Sequence, residues 1–214
     1  MFKSKNMYRG RFHNIYYICP VSSFLSVEKH PFEKHDKVYH ELTVGDLDNI
    51  YNELVAKKEA YVEYLEKKKI KKKKNQNEKI EGNENDSDEE EEKELEYSCI
   101  IIDDMADALK DANICRQLNK MIIKARHIMC SFIITLQSYY YMPKILRKQL
   151  NYITIFKPKN VEEWNTISNE LLNVNKDDAL TLFNYIFDAP YNHIDIDTVN
   201  NKYYKNFNLL EIKT

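Results

Sequence analysis

An apolar, β-branched run, Asn14-Ile15-Tyr16-Tyr17-Ile18-Cys19, stops at Pro20, and this pattern predicts a buried strand that ends in a loop. From Thr43 the period changes. Leu47, Ile50, Tyr51, Leu54, Val55, Tyr61, Val62 and Leu65 recur at helical spacing, with Thr43 as N-cap and Asp46 as a shorter version of the capping-box acid. Residues 97–102 form a second, strongly apolar strand. Residues 106–125 then place Leu109, Ala112, Cys115, Leu118 and Ile122 on one helical face, and 130–136 are again β-branched and extended. Pro143 opens a short helix reaching Leu150, and Tyr152-Ile153-Thr154-Ile155-Phe156 is a further strand stopped by Pro158. Two helices, 161–172 and 177–187, and two short strands, 193–197 and 208–212, complete the pattern. Continuous apolar strands alternating with helices predict an α/β fold, a mostly parallel sheet flanked by helices.

Charge interrupts this pattern once. Lys67-Lys68-Lys69-Ile70-Lys71-Lys72-Lys73-Lys74 is followed by Asp86-Ser87-Asp88-Glu89-Glu90-Glu91-Glu92. Such a segment buries too little apolar surface to offset its ordering entropy, so about 70–94 is expected to be a disordered charged insertion or a solvated helical extension. Its lysines offer contacts to nucleic-acid phosphates, for which the acidic block would compete. With 43% apolar and 12% aromatic residues, the 214-residue chain can build one substantial core, and a single domain spanning 1–214 is expected. Charged residues reach 31% while the net charge is only -2, so any nucleic-acid contact must be local. Cys19, Cys99, Cys115 and Cys130 lack paired-ligand spacing, and three of them lie in apolar strand or helix patterns where a thiol is a small buried hydrophobe, as in a reducing intracellular compartment. No apolar run approaches the roughly 20 residues of a membrane span, and Met1-Phe2-Lys3-Ser4-Lys5 has no signal-peptide core.

The candidate chemistry lies at the ends of two predicted strands. Cys99-Ile100-Ile101-Ile102-Asp103-Asp104 has the form of a Walker B segment, an apolar strand delivering two acids to the crevice where open α/β sheets bind ligands. In that role Asp103 holds Mg²⁺ through water and Asp104 orients or deprotonates the attacking water; the plain alternative is a strand running into two solvent-facing acids. Gln137 ends the next strand, where a neutral amide can hydrogen-bond both a γ-phosphate oxygen and the nucleophilic water, or can be an ordinary polar strand end. Arg126 and Arg147 are candidate arginine fingers acting across a subunit interface, or surface and ion-pairing residues; His127 has no ligand partner at useful spacing and reads as structural. A phosphate-cradling loop requires G-x-x-x-x-G-K-[ST], and Gly10, Gly45 and Gly82, the only glycines, do not supply it.

Taken together these segments resemble the virion DNA-packaging ATPases of poxviruses and other nucleocytoplasmic large DNA viruses, a branch of the FtsK–HerA group of P-loop motors. The resemblance is carried in order by Phe12-His13-Asn14-Ile15-Tyr16-Tyr17-Ile18-Cys19-Pro20 and Ile100-Ile101-Ile102-Asp103-Asp104-Met105. It continues through Arg126-His127, Gln137-Ser138-Tyr139, Pro143, Arg147 and Phe156-Lys157-Pro158. It implies a P-loop NTPase, RecA-like core that uses ATP and Mg²⁺, assembles as a homo-oligomeric ring with capsid and virion assembly proteins, and drives double-stranded viral DNA into capsids. The implied setting is the viral factory in host cytoplasm, or the virion. In that family a strand, the glycine loop and a helix precede the part matched here, so the core is expected to be incomplete at its N-terminus. The missing strand would lie beside the one ending at Gln137, and the chain alone is expected to be poorly stable or catalytically dead. The alternative is a non-hydrolysing binding or regulatory partner, or a degraded paralogue, of such a motor.

Overall fold

The computed structural model describes residues 10–78 and 93–212. They divide into two compact units, one running to Ala108 and joined by Arg116–Thr135, the other made of Leu109–Cys115 and the chain from Leu136 onward.

The first unit follows the predicted alternation. Its elements are β1 (Asn14–Ile18), α1 (Val21–Leu25), β2 (Val38–Tyr39), α2 (Val44–Glu78), β3 (Ser98–Asp103), most of α3 (Ala112–Ile123) and β4 (Cys130–Thr135). The strands form one parallel sheet in the order β2-β1-β3-β4. From Ser98 to Ile102 every residue of β3 is buried, as a central parallel strand covered on both faces requires. Alternation then sorts the side chains. Tyr17, Cys19, Cys99 and Ile101 pack with Phe32, Phe24, Val38 and Ile133 on one face, while Tyr16 reaches the other, where it meets Glu53 of α2. Burial pushes the Cys99 and Cys130 thiols up to about 12, so both stay protonated and pack as apolar groups.

Thr43 caps α2 as its sequence predicts: its Oγ1 accepts from the Asp46 N–H at 3.0 Å and donates to the Asp46 carboxylate at 2.6 Å. Leu47, Ile50 and Leu54 supply the buried stripe. The helix does not stop where the charged run begins. Residues 70–78, expected to be unordered or a solvated extension, continue it, because lysine, glutamate and glutamine are good helix formers and the packed first half has already nucleated the turn. The acidic run Asp86–Glu92 lies outside the described residues.

In the second unit come α4 (Lys144–Arg147), β5 (Tyr152–Phe156), α5 (Val161–Ile167), α6 (Lys176–Ile186), β6 (His193–Asp197), β7 (Lys202–Lys205) and β8 (Asn208–Leu210). Asn160 and Asn175 cap α5 and α6 by accepting from the Glu163 and Asp178 N–H groups. A wider π turn, Ser168–Leu172, extends α5 and closes on Asn173 in the left-handed region at φ 53. Trp164 anchors the core, its indole N–H donating to the Ala179 carbonyl at 2.6 Å and its ring meeting Phe187 edge-on.

Here the structure departs from expectation in two strands, β5 and β7. Residues 152–156 do not extend the parallel sheet; β5 pairs antiparallel with β6 in a second sheet, ordered β5-β6-β7-β8. Ile153 and Ile155 face the core while Tyr152, Thr154 and Phe156 are exposed, the alternation of a one-sided sheet. Aromatic residues on the exposed face hid that alternation in the sequence. The unpredicted β7 enters β8 through Asn206 and Phe207, both at positive φ, a hairpin turn made without the glycine that would have signalled it.

Two outcomes follow from α2. Thr43→Ala should lower stability by about 1 kcal/mol in urea unfolding, with Thr43→Ser close to neutral. Burial of Glu53 opposes its ionisation, but hydrogen bonds from Lys37, Tyr16 and Lys57 outweigh it and hold the carboxyl below its ordinary value of 4.5. A lowered folded value means that this stability is present above the unfolded value and lost as pH falls through the folded one. Glu53→Gln should therefore flatten the acid side of the stability-versus-pH curve, measured as the urea midpoint from pH 6 down to 3.

Candidate active site: an acid pair at the end of the parallel sheet

The parity of β3 decides where its acids point. Asp103 is on the same face as Ile101 and directly opposite Thr135 of β4, and Tyr17 of β1, beside Ile101, reaches forward along that face. The Tyr17 hydroxyl donates to Asp103 Oδ2 at 2.7 Å and the Thr135 hydroxyl donates to Oδ1. Burial first, and then the Asp103 bond, push the Tyr17 phenol above its ordinary value and keep it a donor. Asp104 follows in the left-handed region at φ 57, where aspartate is among the better tolerated residues. Its N–H donates to the Thr135 carbonyl at 3.1 Å, and its carboxylate accepts from the Ser23 hydroxyl of α1 at 2.9 Å. The two acids thus leave the strand in different directions, each held by hydroxyls that the sequence reading did not single out.

This donor set fits a hard divalent cation. It is all oxygen, both carboxylates are half-buried and reachable, and the Tyr17 and Thr135 hydroxyls occupy one lone pair on each Asp103 oxygen, leaving others for a metal-bound water. The fit does not extend to a triphosphate, since no glycine loop occurs in the sequence.

The remaining candidates stand elsewhere. Arg126 lies in the turn between α3 and β4, exposed and at the strands' amino end. The in-register pairing of Ser98 with Cys130 and of Asp103 with Thr135 separates that end from the acid pair by about 16 Å of strand. Gln137 belongs to the second unit and is exposed, two residues past Thr135. The turn it opens is heavily tied down. Buried Glu163 accepts from the Ser138 hydroxyl and the Tyr139 N–H, both at 2.6 Å, and Glu170 accepts from the Tyr139 hydroxyl at 2.9 Å. Arg147 completes this clamp: Nε donates to the Met142 carbonyl at 2.7 Å, one terminal nitrogen to Glu170, the other to the Tyr139 carbonyl, and the guanidinium stacks on the Tyr139 ring. Its side chain is 9% exposed. Arg147 is therefore committed to its own turn.

This architecture has a counterpart among solved structures. B204, the DNA-packaging ATPase from Sulfolobus turreted icosahedral virus, superposes with a TM-score of 0.54 at 14% identity over 94% of this chain and 83% of that one. The two chains share a fold. B204 from Sulfolobus turreted icosahedral virus 2 also matches, in complexes with ATPγS and AMPPCP, at 18% and 19% identity and TM-scores of 0.41 and 0.40. Those matches cover 54% and 55% of each chain, so this chain spans about half the length of these relatives. No protein-family model and no curated protein matches the sequence.

Arg147→Ala should cost about 2–3 kcal/mol in chemical unfolding, chiefly by stripping the Tyr139 and Met142 carbonyls of a charged donor. Glu170 is 36% exposed, so the ion pair itself contributes little and Glu170→Gln should be much milder than Arg147→Ala.

Proposed function

We propose that this chain is the acid-bearing and sensor portion of an ATPase motor of the poxvirus-type packaging family, driving ATP-dependent translocation of double-stranded viral DNA into capsids. The observation that carries this reading is the acid pair at the carboxyl end of a central parallel strand, in a fold similar to that of a packaging ATPase. Asp103 holds the cation side of the site through water, and Asp104 orients the attacking water. A bound Mg²⁺ supplies neutralisation of phosphate charge. Gln137, on its clamped turn, senses the terminal phosphate.

Arg126 is the better candidate for a finger in trans, because it is exposed and sits far along the strands from its own acid pair. Such a finger acts on a neighbouring copy, which requires the homo-oligomeric ring. Double-stranded DNA and capsid or virion assembly proteins are the corresponding partners, in the host cytoplasm or the virion; among the described residues no helix is long and apolar enough to cross a membrane.

Hydrolysis by this machinery needs a phosphate-binding loop that the sequence does not contain, so the chain by itself is inactive. β4 pairs only with β3 among the described strands, and its Phe132, Ile133 and Ile134 are half-buried where the same stretch of β3 is fully buried, which leaves an edge to receive the loop's strand. Supplying a strand, a G-x-x-x-x-G-K-[ST] loop and a helix, joined ahead of residue 10, should give DNA-stimulated ATP hydrolysis in a phosphate-release assay. Asp104→Asn should lower that rate by at least about 100-fold. A completed, folded protein that hydrolyses no ATP would refute the motor reading and favour a non-hydrolysing partner of such a motor.

A further inference from the structure

We infer that Tyr17 and Ser23 are positioning residues that hold the two acids in their ligand-ready orientations. The inference rests on the reading of Asp103 and Asp104 as the cation-side and water-side acids, and goes beyond it by assigning what aims them.

The argument begins with a phenol in an apolar place. Tyr17 packs among Cys19, Phe24, Phe32, Cys99 and Ile101, its ring stacked on Phe32 at 4.4 Å. Phenylalanine would fill that space, and an added hydroxyl is costly there unless its hydrogen bonds are made. It makes them to His30 Nε2 at 3.3 Å and to Asp103 Oδ2 at 2.7 Å.

The direction of this chain of bonds can be worked out. The Phe32 backbone N–H can only donate, and it points at His30 Nδ1 at 3.2 Å, so Nδ1 accepts. A neutral imidazole with Nδ1 as acceptor carries its proton on Nε2, which therefore donates to the Tyr17 oxygen. The one phenolic proton is thereby directed to Asp103. Thr135 donates to the other Asp103 oxygen, so a hydroxyl on each side fixes the plane of the carboxylate.

Ser23 does the equivalent for Asp104. Asp104 has already left the strand at positive φ, where sheet pairing no longer dictates its side-chain direction. The Ser23 hydroxyl, on a helix that starts directly after β1, reaches Asp104 Oδ2 at 2.9 Å. The Tyr17 and Ser23 hydroxyls come from β1 and the helix that follows it, so one segment, residues 17–23, contributes a donor to each of the two acids.

Mn²⁺ alone, titrated into the full chain and followed by the electron paramagnetic resonance signal of free Mn²⁺, tests this without any need for turnover. The wild-type chain should bind Mn²⁺ in a manner lost in Asp103→Asn. Tyr17→Phe, which keeps the ring in its stack, should weaken that binding about tenfold, the lower end of what outer-sphere partners of a metal site contribute. Ser23→Ala should weaken it by a smaller factor of about three, and Ser23→Thr, which restores a hydroxyl, should recover the wild-type affinity. Urea midpoints measured alongside separate a lost orientation from a lost fold, and Ser23, on a five-residue helix with no buried residues, tests the inference even if Tyr17→Phe unfolds. Wild-type Mn²⁺ affinity in folded Tyr17→Phe and Ser23→Ala overturns the positioning role and leaves the cation reading standing. Absence of any Asp103-dependent binding in the wild type overturns both.

Discussion

Successive residues of a strand face opposite sides of its sheet, and in this protein that alternation, locked by burial on both faces of β3, is the constraint on which the site depends. Ile100 and Ile102 are fully buried on one side, and Cys99 and Ile101 lie in the aromatic cluster on the other. A shift of register by one residue would exchange the two sets and drive Asp103 to the face that Tyr16 shares with Glu53 of α2. With the register held, Asp103 emerges beside Thr135 and within reach of Tyr17, and its carboxylate meets donors as soon as the strand ends. The chemistry at the strand tip is thus prepared by packing well below it.

The second unit meets a different constraint. Its antiparallel sheet has one core face, closed by Trp164, Ile167, Ile186 and their neighbours, and the turn after β4 is fastened to α5 and its π extension by side chains. Charge is used here for geometry. Glu163 is buried and gives one oxygen to two donors of the turn, while Arg147 spreads its donors over two carbonyls and a carboxylate. An arginine bonded in this way is fixed in place. That is the opposite of what a finger reaching into a neighbouring site requires, and it is why Arg126, exposed at the other end of the strands of the first unit, fits that role better.

The parts of the fold that were legible in the sequence are those written as local pattern. The apolar runs of β1, β3 and β4, the stripe and cap of α2, and the proline opening α4 all follow from side-chain periodicity or from the chemistry of a single terminus. The elements that escaped are short or non-local. β2 and α1 are held by what they pack against, β7 has no glycine at its turn, and β5 is apolar on both faces in sequence although only one of them is buried. For 70–78 the composition left disorder and a solvated helical extension both open, and the packed helix from which the segment continues decided for helix.

The acid pair divides along the same line. That Asp103 and Asp104 close an apolar strand, and that no phosphate-cradling glycine loop accompanies them, are determined by the sequence alone, since strand-forming residues and glycine spacing are local properties of the chain. That Asp103 is met by Tyr17 and Thr135, that Ser23 turns Asp104, and that Arg147 is bound to its own turn were decided only by the tertiary structure. These partners are separated from one another by as many as 86 positions in the chain. Only the register of a folded sheet, which depends on all its strands at once, brings a phenol and a carboxylate so distant in sequence to hydrogen-bonding distance.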